Sequence, residues 1–195
     1  MPSEDTQERF YNTMLELANQ VKINAETIKS HDILNVVNII LQLFKKKNRI
    51  FVYGAGRSGF IGRCFAQRLM HLGIKSCFIS DAVTHQYTSD DLLIIISGSG
   101  ETTSTVAIVK KAKKIGGNII TLSSNPKSTI SRLSDYLIEI KGKSKHVALT
   151  QASLAPYTSL FDISTFAVLD SIGGILMKNL GETEQDIENR HASIE

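Results

Sequence analysis

Apolar positions along this chain change their period as it proceeds. Over residues 6–30, Phe10, Met14, Leu17 and Val21 recur every three or four positions, which predicts one buried face of an amphipathic helix. His31-Asp32 interrupts the pattern, and Ile33, Val36, Val37, Ile40, Leu43 and Phe44 predict a second helix. From residue 49 the pattern alternates. Short apolar runs at 49–53, 75–80, 92–96, 118–122 and 136–140 predict strands, and helical periods fall at 60–72, 101–115 and 128–133. Ile61, Phe65 and Leu69 mark the inner face of the first of these helices, and Gly116-Gly117 supplies a C-cap for the second. Residues 141–154 show no period and read as a mobile loop. Pro156 suits the first turn of a long helix running to residue 180, with Phe161, Phe166, Leu169, Ile172 and Met177 as its expected buried positions. Gly181 closes that helix, and Thr183-Glu184 opens a short last one.

Strands that alternate with helices at this spacing predict an α/β fold with a parallel, doubly wound sheet. At 195 residues the chain reads as a single domain over 1–195. Two N-terminal helices occupy 1–47, the α/β core and last long helix 49–180, and a tail 181–195.

The stretch 90–103 anchors the functional reading. Leu92-Leu93-Ile94-Ile95-Ile96 is apolar throughout, as in a strand buried on both faces. It stops at Ser97-Gly98-Ser99-Gly100-Glu101-Thr102, and a helix begins at once. Strand, hydroxyl-rich turn and helix N-terminus together form an anion site, because glycines admit close approach and free N–H groups face the ligand. In sheets of this kind ligands bind at the carboxyl ends of the strands, where this turn and the earlier Gly54–Gly59 turn both fall.

Composition narrows the partners. A net charge of +3, with basic residues scattered, gives no case for nucleic acid. The densest cluster, Lys45-Lys46-Lys47 with Arg49, sits where a helix ends and suits its dipole. Cys64 and Cys77 read as buried thiols of a reducing compartment. The polar first ten residues carry no signal-peptide pattern, and no apolar run approaches membrane-spanning length. A cytoplasmic protein with no membrane partner is expected. No Cys/His cluster has metal-ligand spacing, so no metal site is expected.

Gly54, Gly56 and Gly59 also satisfy G-x-G-x-x-G, and Asp81 follows at a spacing that suits a dinucleotide fold. Against that reading, the turn carries Arg57 and Ser58, which suit a terminal phosphate. A second phosphate-type turn follows the third strand, and no further domain is at hand for a hydride acceptor.

Residues 49–195 resemble the sugar isomerase (SIS) domain family, and within it the 6-phospho-3-hexuloisomerases. The run 54–73, the turn Ser97-Gly98-Ser99-Gly100-Glu101-Thr102 and the ending Arg190-His191-Ala192-Ser193-Ile194-Glu195 carry the resemblance. It implies a three-layer α/β/α sandwich with a five-stranded parallel sheet of order 2-1-3-4-5. It also implies a homotetramer with sites at subunit interfaces, and a place in the ribulose monophosphate pathway. The implied reaction interconverts D-arabino-hex-3-ulose 6-phosphate and fructose 6-phosphate through a cis-enediol, with no cofactor. Family members carry Pro-x-Gly-(Ser/Thr)-x-Phe-Glu at the start of the last long helix, with the Glu as proposed base. Here Pro156-Tyr157-Thr158-Ser159-Leu160-Phe161-Asp162 keeps Ser159 and Phe161, but has Thr158 for Gly and Asp162 for Glu. The resemblance makes Asp162 and a neighbour's His191 the catalytic candidates. Arg57, Ser58, Ser97, Gly98, Ser99, Gly100, Glu101, Thr102 and Ser159 are the substrate-binding candidates, with Ser97, Ser99 and Thr102 on the phosphate. Glu101 is a candidate second acid/base, although capping alone explains it; His71 and His85 stand outside the main set. A different phosphosugar isomerase and a non-catalytic phosphosugar sensor remain the alternatives, the latter because of the Glu-to-Asp change.

Overall fold

A computed structural model describes residues 4–143 and 152–193. Two helices, α1 (Glu4–Thr27) and α2 (Ser30–Lys46), precede β1 (Ile50–Gly54), α3 (Arg57–His71), β2 (Ser76–Phe78) and β3 (Leu92–Ile96). There follow α4 (Thr103–Ile115), β4 (Asn118–Ser123), α5 (Thr129–Leu133) and β5 (Tyr136–Glu139), then α6 (Ser159–Leu180) and α7 (Glu184–Glu188). The five strands are all parallel in the order β2-β1-β3-β4-β5, as the resemblance implies.

The two-residue period of the strands divides the core into two layers. Ile50 and Val52 of β1, Leu92, Ile94 and Ile96 of β3, and Ile120 and Leu122 of β4 pack with α2, α3 and α6 on one face. Phe51, Leu93, Ile95 and Ile119 point the other way, onto Val109 and Ala112 of α4 and Ile130 of α5. β3 is central and buried on both faces, which is why its five residues are all apolar. The chain reverses direction across the sheet between β1 and β3, where Gly54 pairs with Ile96 at the last position of each strand. The two turns therefore leave the sheet side by side at its switch point.

Several expectations need correction. Phe10 and Met14 are exposed, Leu17 and Val21 are half-buried, and the buried residue of α1 is Asn24: only the second half of the apolar period faces the domain, beside a polar stripe. Phe166 is exposed and Met177 half-buried. Cys64 is exposed, since it falls on the outer side of α3, and Cys77 is half-buried. Burial pushes the Cys77 thiol above its usual value. The long helix starts at Ser159, not Pro156; the Ser159 N–H donates to the Pro156 carbonyl (2.9 Å) in the turn before it. By length and composition α6 could cross a membrane, but half of its most apolar window is buried in this domain, against α3 and α1. Of the stretch read as a mobile loop, residues 144–151 lie outside the described residues.

Candidate active site

Both turns exist for steric reasons as well as chemical ones. A Cβ on Gly54 would lie 2.7 Å from the Ser58 carbonyl, and one on Gly59 would lie 2.7 Å from the Gly54 oxygen. Glycine at both lets α3 begin directly over the end of β1. At Gly100, φ is +63° and a Cβ would fall 2.0 Å from Ser128 Oγ, so this position also has to be glycine. Its N–H is held by the Ser97 carbonyl (3.1 Å) and Ser97 Oγ (3.2 Å).

A cavity of about 260 Å³ opens where these turns meet. Ala55, Gly56, Arg57 and Ser58 line it from the first turn, and Ser97, Gly98, Ser99 and Thr102 from the second. Tyr157, Thr158, Phe161 and Asp162 close it from the start of α6, with Lys143 beyond β5. Three helices thus point their N-termini at one space. None of their N-cap residues, Gly56, Thr102 and Thr158, caps its helix with a side chain. Of the helices that begin elsewhere, α5 and α7 are capped by Ser128 and Thr183, whereas α2 has no side-chain cap at Lys29. Each helix N-terminus carries roughly half a positive elementary charge and unsatisfied N–H donors. Leaving three of them without side-chain caps around one cavity builds an anion receptor.

One carboxylate enters this positive space. Asp162, 3% exposed, lies in the first turn of α6. Its Oδ2 accepts from Arg57 Nε at 2.7 Å and from Thr158 Oγ1 at 2.8 Å. Both donors meet the same oxygen. Two donors on one oxygen fix the plane of the carboxylate, and a fixed plane is what a proton-transfer group requires. Thr158, a departure from the family pattern in the sequence, is one of the two groups that hold it.

The other candidates divide. Ser58, Ser97, Gly98, Ser99 and Thr102 line the cavity with Arg57 and Asp162. Gly100 shapes the turn without lining the cavity. Ser159 is buried at the start of α6, outside the lining. Glu101 also lies outside it, and its Oε1 accepts the Thr129 N–H (2.7 Å) at the start of α5. His191 is not brought to the cavity of its own chain. Its ring stacks on His71, with centroids 4.4 Å apart, at the last residue of α3. Arg57 is the first residue of that helix, so the stack sits roughly 20 Å away at 1.5 Å rise per residue. Arg190 fixes the tail there, donating to the His71 carbonyl (2.9 Å) and to both Glu182 oxygens (2.6 and 3.1 Å). Asp81, the dinucleotide candidate, accepts from Arg63 at 3.0 Å and does not line the cavity. Sequence alone did not single out Lys143 or Tyr157. Lys143 is one of three lysines in a stretch with no period, and nothing local distinguishes it. Tyr157 has φ +38°, unusual for a side chain of its size, and nothing in the sequence marks that turn.

A family model described as the SIS domain matches residues 42–161. The chain is 37% identical over 178 residues to the 3-hexulose-6-phosphate isomerase of Methanocaldococcus jannaschii, covering 91% of this chain and 94% of that one. It is 32% identical over 181 residues to the 3-hexulose-6-phosphate isomerase of Bacillus subtilis, covering 92% and 96%. A crystal structure of a Methanococcus jannaschii protein, from which a molecular function of 3-hexulose-6-phosphate isomerase was inferred, superposes with a TM-score of 0.80. It shares 35% identity and covers 93% of this chain and 98% of its own.

Proposed function

Since the chain belongs to the SIS domain family, we propose that it is a 3-hexulose-6-phosphate isomerase, interconverting D-arabino-hex-3-ulose 6-phosphate and fructose 6-phosphate. One observation carries the reading: a single buried, doubly held carboxylate, Asp162, shares a cavity with two hydroxyl-rich turns and three helix N-termini.

The sugar phosphate enters with its phosphoryl group on the turn from Ser97 to Thr102, where Ser97, Ser99 and Thr102 hydroxyls and backbone N–H groups receive it. Arg57 and Ser58 face the sugar. Asp162 takes the proton from C2, next to the C3 carbonyl, and the electron pair moves to form a C2–C3 enediolate. The proton then returns to C3, while the hydroxyl proton on O2 passes to O3. Atoms and electrons balance without an added redox partner. A positioned base contributes roughly 10²- to 10⁴-fold, and fixed donors at the developing oxyanion contribute further.

The same reading makes the enzyme a cytoplasmic homotetramer of the ribulose monophosphate pathway, with His191 reaching a neighbour's cavity to assist ring opening. Two observations support a subunit contact at the site. Exposed Phe60, Ile163 and Phe166 surround the outer side of the Arg57–Asp162 pair, and His191 lies remote from its own cavity. Exposed Phe10, Tyr11, Met14 and Leu15 on α1 offer a second apolar face.

The test is to supply the purified protein with hexulose 6-phosphate made enzymatically and to couple fructose 6-phosphate formation to a detector. Turnover is expected, and its absence sinks the assignment. Turnover of arabinose 5-phosphate instead points to a different phosphosugar isomerase; fructose 6-phosphate binding without turnover points to a sensor.

A further inference from the structure

Behind the turn that follows β3, the end of β4 supplies a cluster of hydroxyls. The Gly98 carbonyl accepts from Ser124 Oγ at 2.7 Å, from the Ser124 N–H at 3.2 Å and from Ser123 Oγ at 3.3 Å. A carbonyl oxygen has two lone pairs, so three donors saturate it and fix its direction. Ser124 supplies the shortest of these bonds and one of the other two. Neither serine lines the cavity, whereas Gly98 and Ser99 both do.

The direction of that carbonyl decides what the cavity meets. A trans peptide unit is planar, and its C=O and N–H point opposite ways. The N–H that opposes the Gly98 carbonyl is that of Ser99. In the sheet, β3 lies between β1 and β4. The Ser97 N–H donates to the Leu122 carbonyl (3.0 Å), so the β3–β4 ladder continues into the turn and keeps the alternation of a strand. A Gly98 carbonyl directed at the end of β4 therefore directs the Ser99 N–H toward the β1 side, where the first turn and the cavity lie. In the next peptide unit both ends are seen. The Ser99 carbonyl accepts from Asn125 Nδ2 (3.4 Å), again beyond the end of β4, and the Gly100 N–H donates to Ser97. Gly98 is also packed against α6, where a Cβ on it would lie 3.2 Å from the Phe161 ring.

We propose that Ser124 is a positioning residue of the phosphosugar site: it holds the Gly98 carbonyl on the end of β4, so that the Ser99 N–H stands as a fixed donor to the phosphoryl group. Ser123 assists it. The proposal rests on the cavity being a phosphosugar site with its phosphate on the turn from Ser97 to Thr102. A donor aimed before the ligand arrives loses little freedom on binding, and its hydrogen bond to an ionised acceptor is roughly twice as strong as a neutral one.

Binding and the Ser99 amide signal test this together. Affinities for fructose 6-phosphate and for inorganic phosphate are measured by calorimetry for the wild type, Ser124→Ala, Ser124→Val and Ser124→Thr, and the Ser99 amide is followed by nuclear magnetic resonance of isotope-labelled protein. Circular dichroism identifies the variants that fold, and the two variants without a hydroxyl serve as alternatives. In the wild type the Ser99 amide proton should move downfield as either ligand binds. A folded variant without the hydroxyl should lose roughly three- to tenfold in affinity for both ligands, the effect of one hydrogen bond, and show a smaller Ser99 shift at saturation. Ser124→Thr, which restores the hydroxyl to the shape of Val, should recover both. Wild-type affinity in a folded Ser124→Ala or Ser124→Val overturns the proposal, as does a Ser124→Thr as weak as Ser124→Val. So does a Ser99 amide that stays in place when the wild type is saturated, a measurement that needs no variant. A protein whose phosphate binding depends on Ser124 but which turns over no hexulose 6-phosphate refutes the isomerase reading alone. A wild type that binds neither ligand refutes both.

Discussion

Replacing Asp162 by Asn separates the two roles a buried, hydrogen-bonded carboxylate can have. Asn has nearly the volume of Asp, so no cavity opens. Its amide oxygen can take the place of Oδ2 and accept from Arg57 Nε and Thr158 Oγ1, now 2.7 and 2.8 Å from that atom. The guanidinium that loses its counter-charge has a side chain 63% exposed, so water solvates it and the penalty stays small. The expected stability change is within about 1 kcal/mol, which moves the melting temperature by a few degrees at most in a chain of this length. A base behaves otherwise. An amide cannot accept the C2 proton, and losing general-base catalysis costs roughly 10²- to 10⁴-fold, about 2.7–5.4 kcal/mol of barrier at 1.36 kcal/mol per factor of ten. The assay runs the reaction backwards: fructose 6-phosphate in heavy water, with nuclear magnetic resonance following deuterium entering C3. Asp162→Asn should bind fructose 6-phosphate within a few-fold of wild type and exchange C3 at least a hundredfold more slowly. Exchange at more than a tenth of the wild-type rate, with melting unchanged, would show that Asp162 is not the base. A drop in melting temperature beyond about 10 °C would instead make the Arg57–Asp162 pair chiefly structural.

Gly100→Ala should destabilise by about 1.5–4 kcal/mol. An Ala at φ +63° costs about 1–2 kcal/mol, and its Cβ displaces Ser128, whose cap on α5 contributes about 0.5–2 kcal/mol. A melting temperature lowered by less than about 3 °C refutes this. The grip of Glu16 on α1 upon residues 153–155, whose Ser153 Oγ, Leu154 N–H and Ala155 N–H donate to its carboxylate, should loosen in acid. Burial acts to raise the Glu16 carboxyl, but the hydrogen bonds from Ser153, Ala155 and Leu154 and the Lys143 charge outweigh it and hold the group below its ordinary value. Its contribution is therefore present above the ordinary glutamate value, about 4.3, and is lost as pH falls through the lower folded-state value. Hydrogen exchange at the Leu154 and Ala155 amides, corrected for intrinsic rates, should rise at low pH in the wild type and already at neutral pH in Glu16→Gln; equal protection in all three conditions contradicts it. If His191 serves a neighbour's cavity, mixing inactive Asp162→Asn and His191→Asn subunits before reassembly should restore up to about a quarter of wild-type activity, because sites drawing both residues from intact copies form at random. No recovery on mixing refutes a shared site.

Local chemistry explains which parts of this architecture the sequence makes legible. Leu92–Ile96 reads as a doubly buried strand because a central parallel strand has no solvent face, so composition alone reveals it. The two turns are legible because steric exclusion at Gly54, Gly59 and Gly100 restricts those positions to one residue type. The end of α4 was legible for the same reason, since Gly116 takes the left-handed conformation at its C-cap. Where tertiary contact decides, the local signal fails. Phe10 and Met14 have helical spacing but face outward and Leu17 and Val21 are half-buried, while Glu16, Gln20 and Asn24 form a polar stripe whose partners are backbone groups of residues 141, 154 and 155 and the Ser153 hydroxyl. A polar stripe at four-residue spacing looks like a solvated face until the chain that bonds to it is known. Lys143 is hidden by the same logic. It shares a run with Lys141 and Lys145, and its burial is accompanied by the grip of α1 on Lys141 and the packing of Gly142 against Phe161, neither of which the local sequence marks. The base candidate lies between these cases. Asp162 reads as a favourable first-turn carboxylate on any helix, and what sets it apart is Arg57, 105 positions earlier, beginning another helix at the same cavity. A carboxylate that only stabilised its own helix N-terminus would need no guanidinium from a second helix, and this one has it on the oxygen that Thr158 already holds.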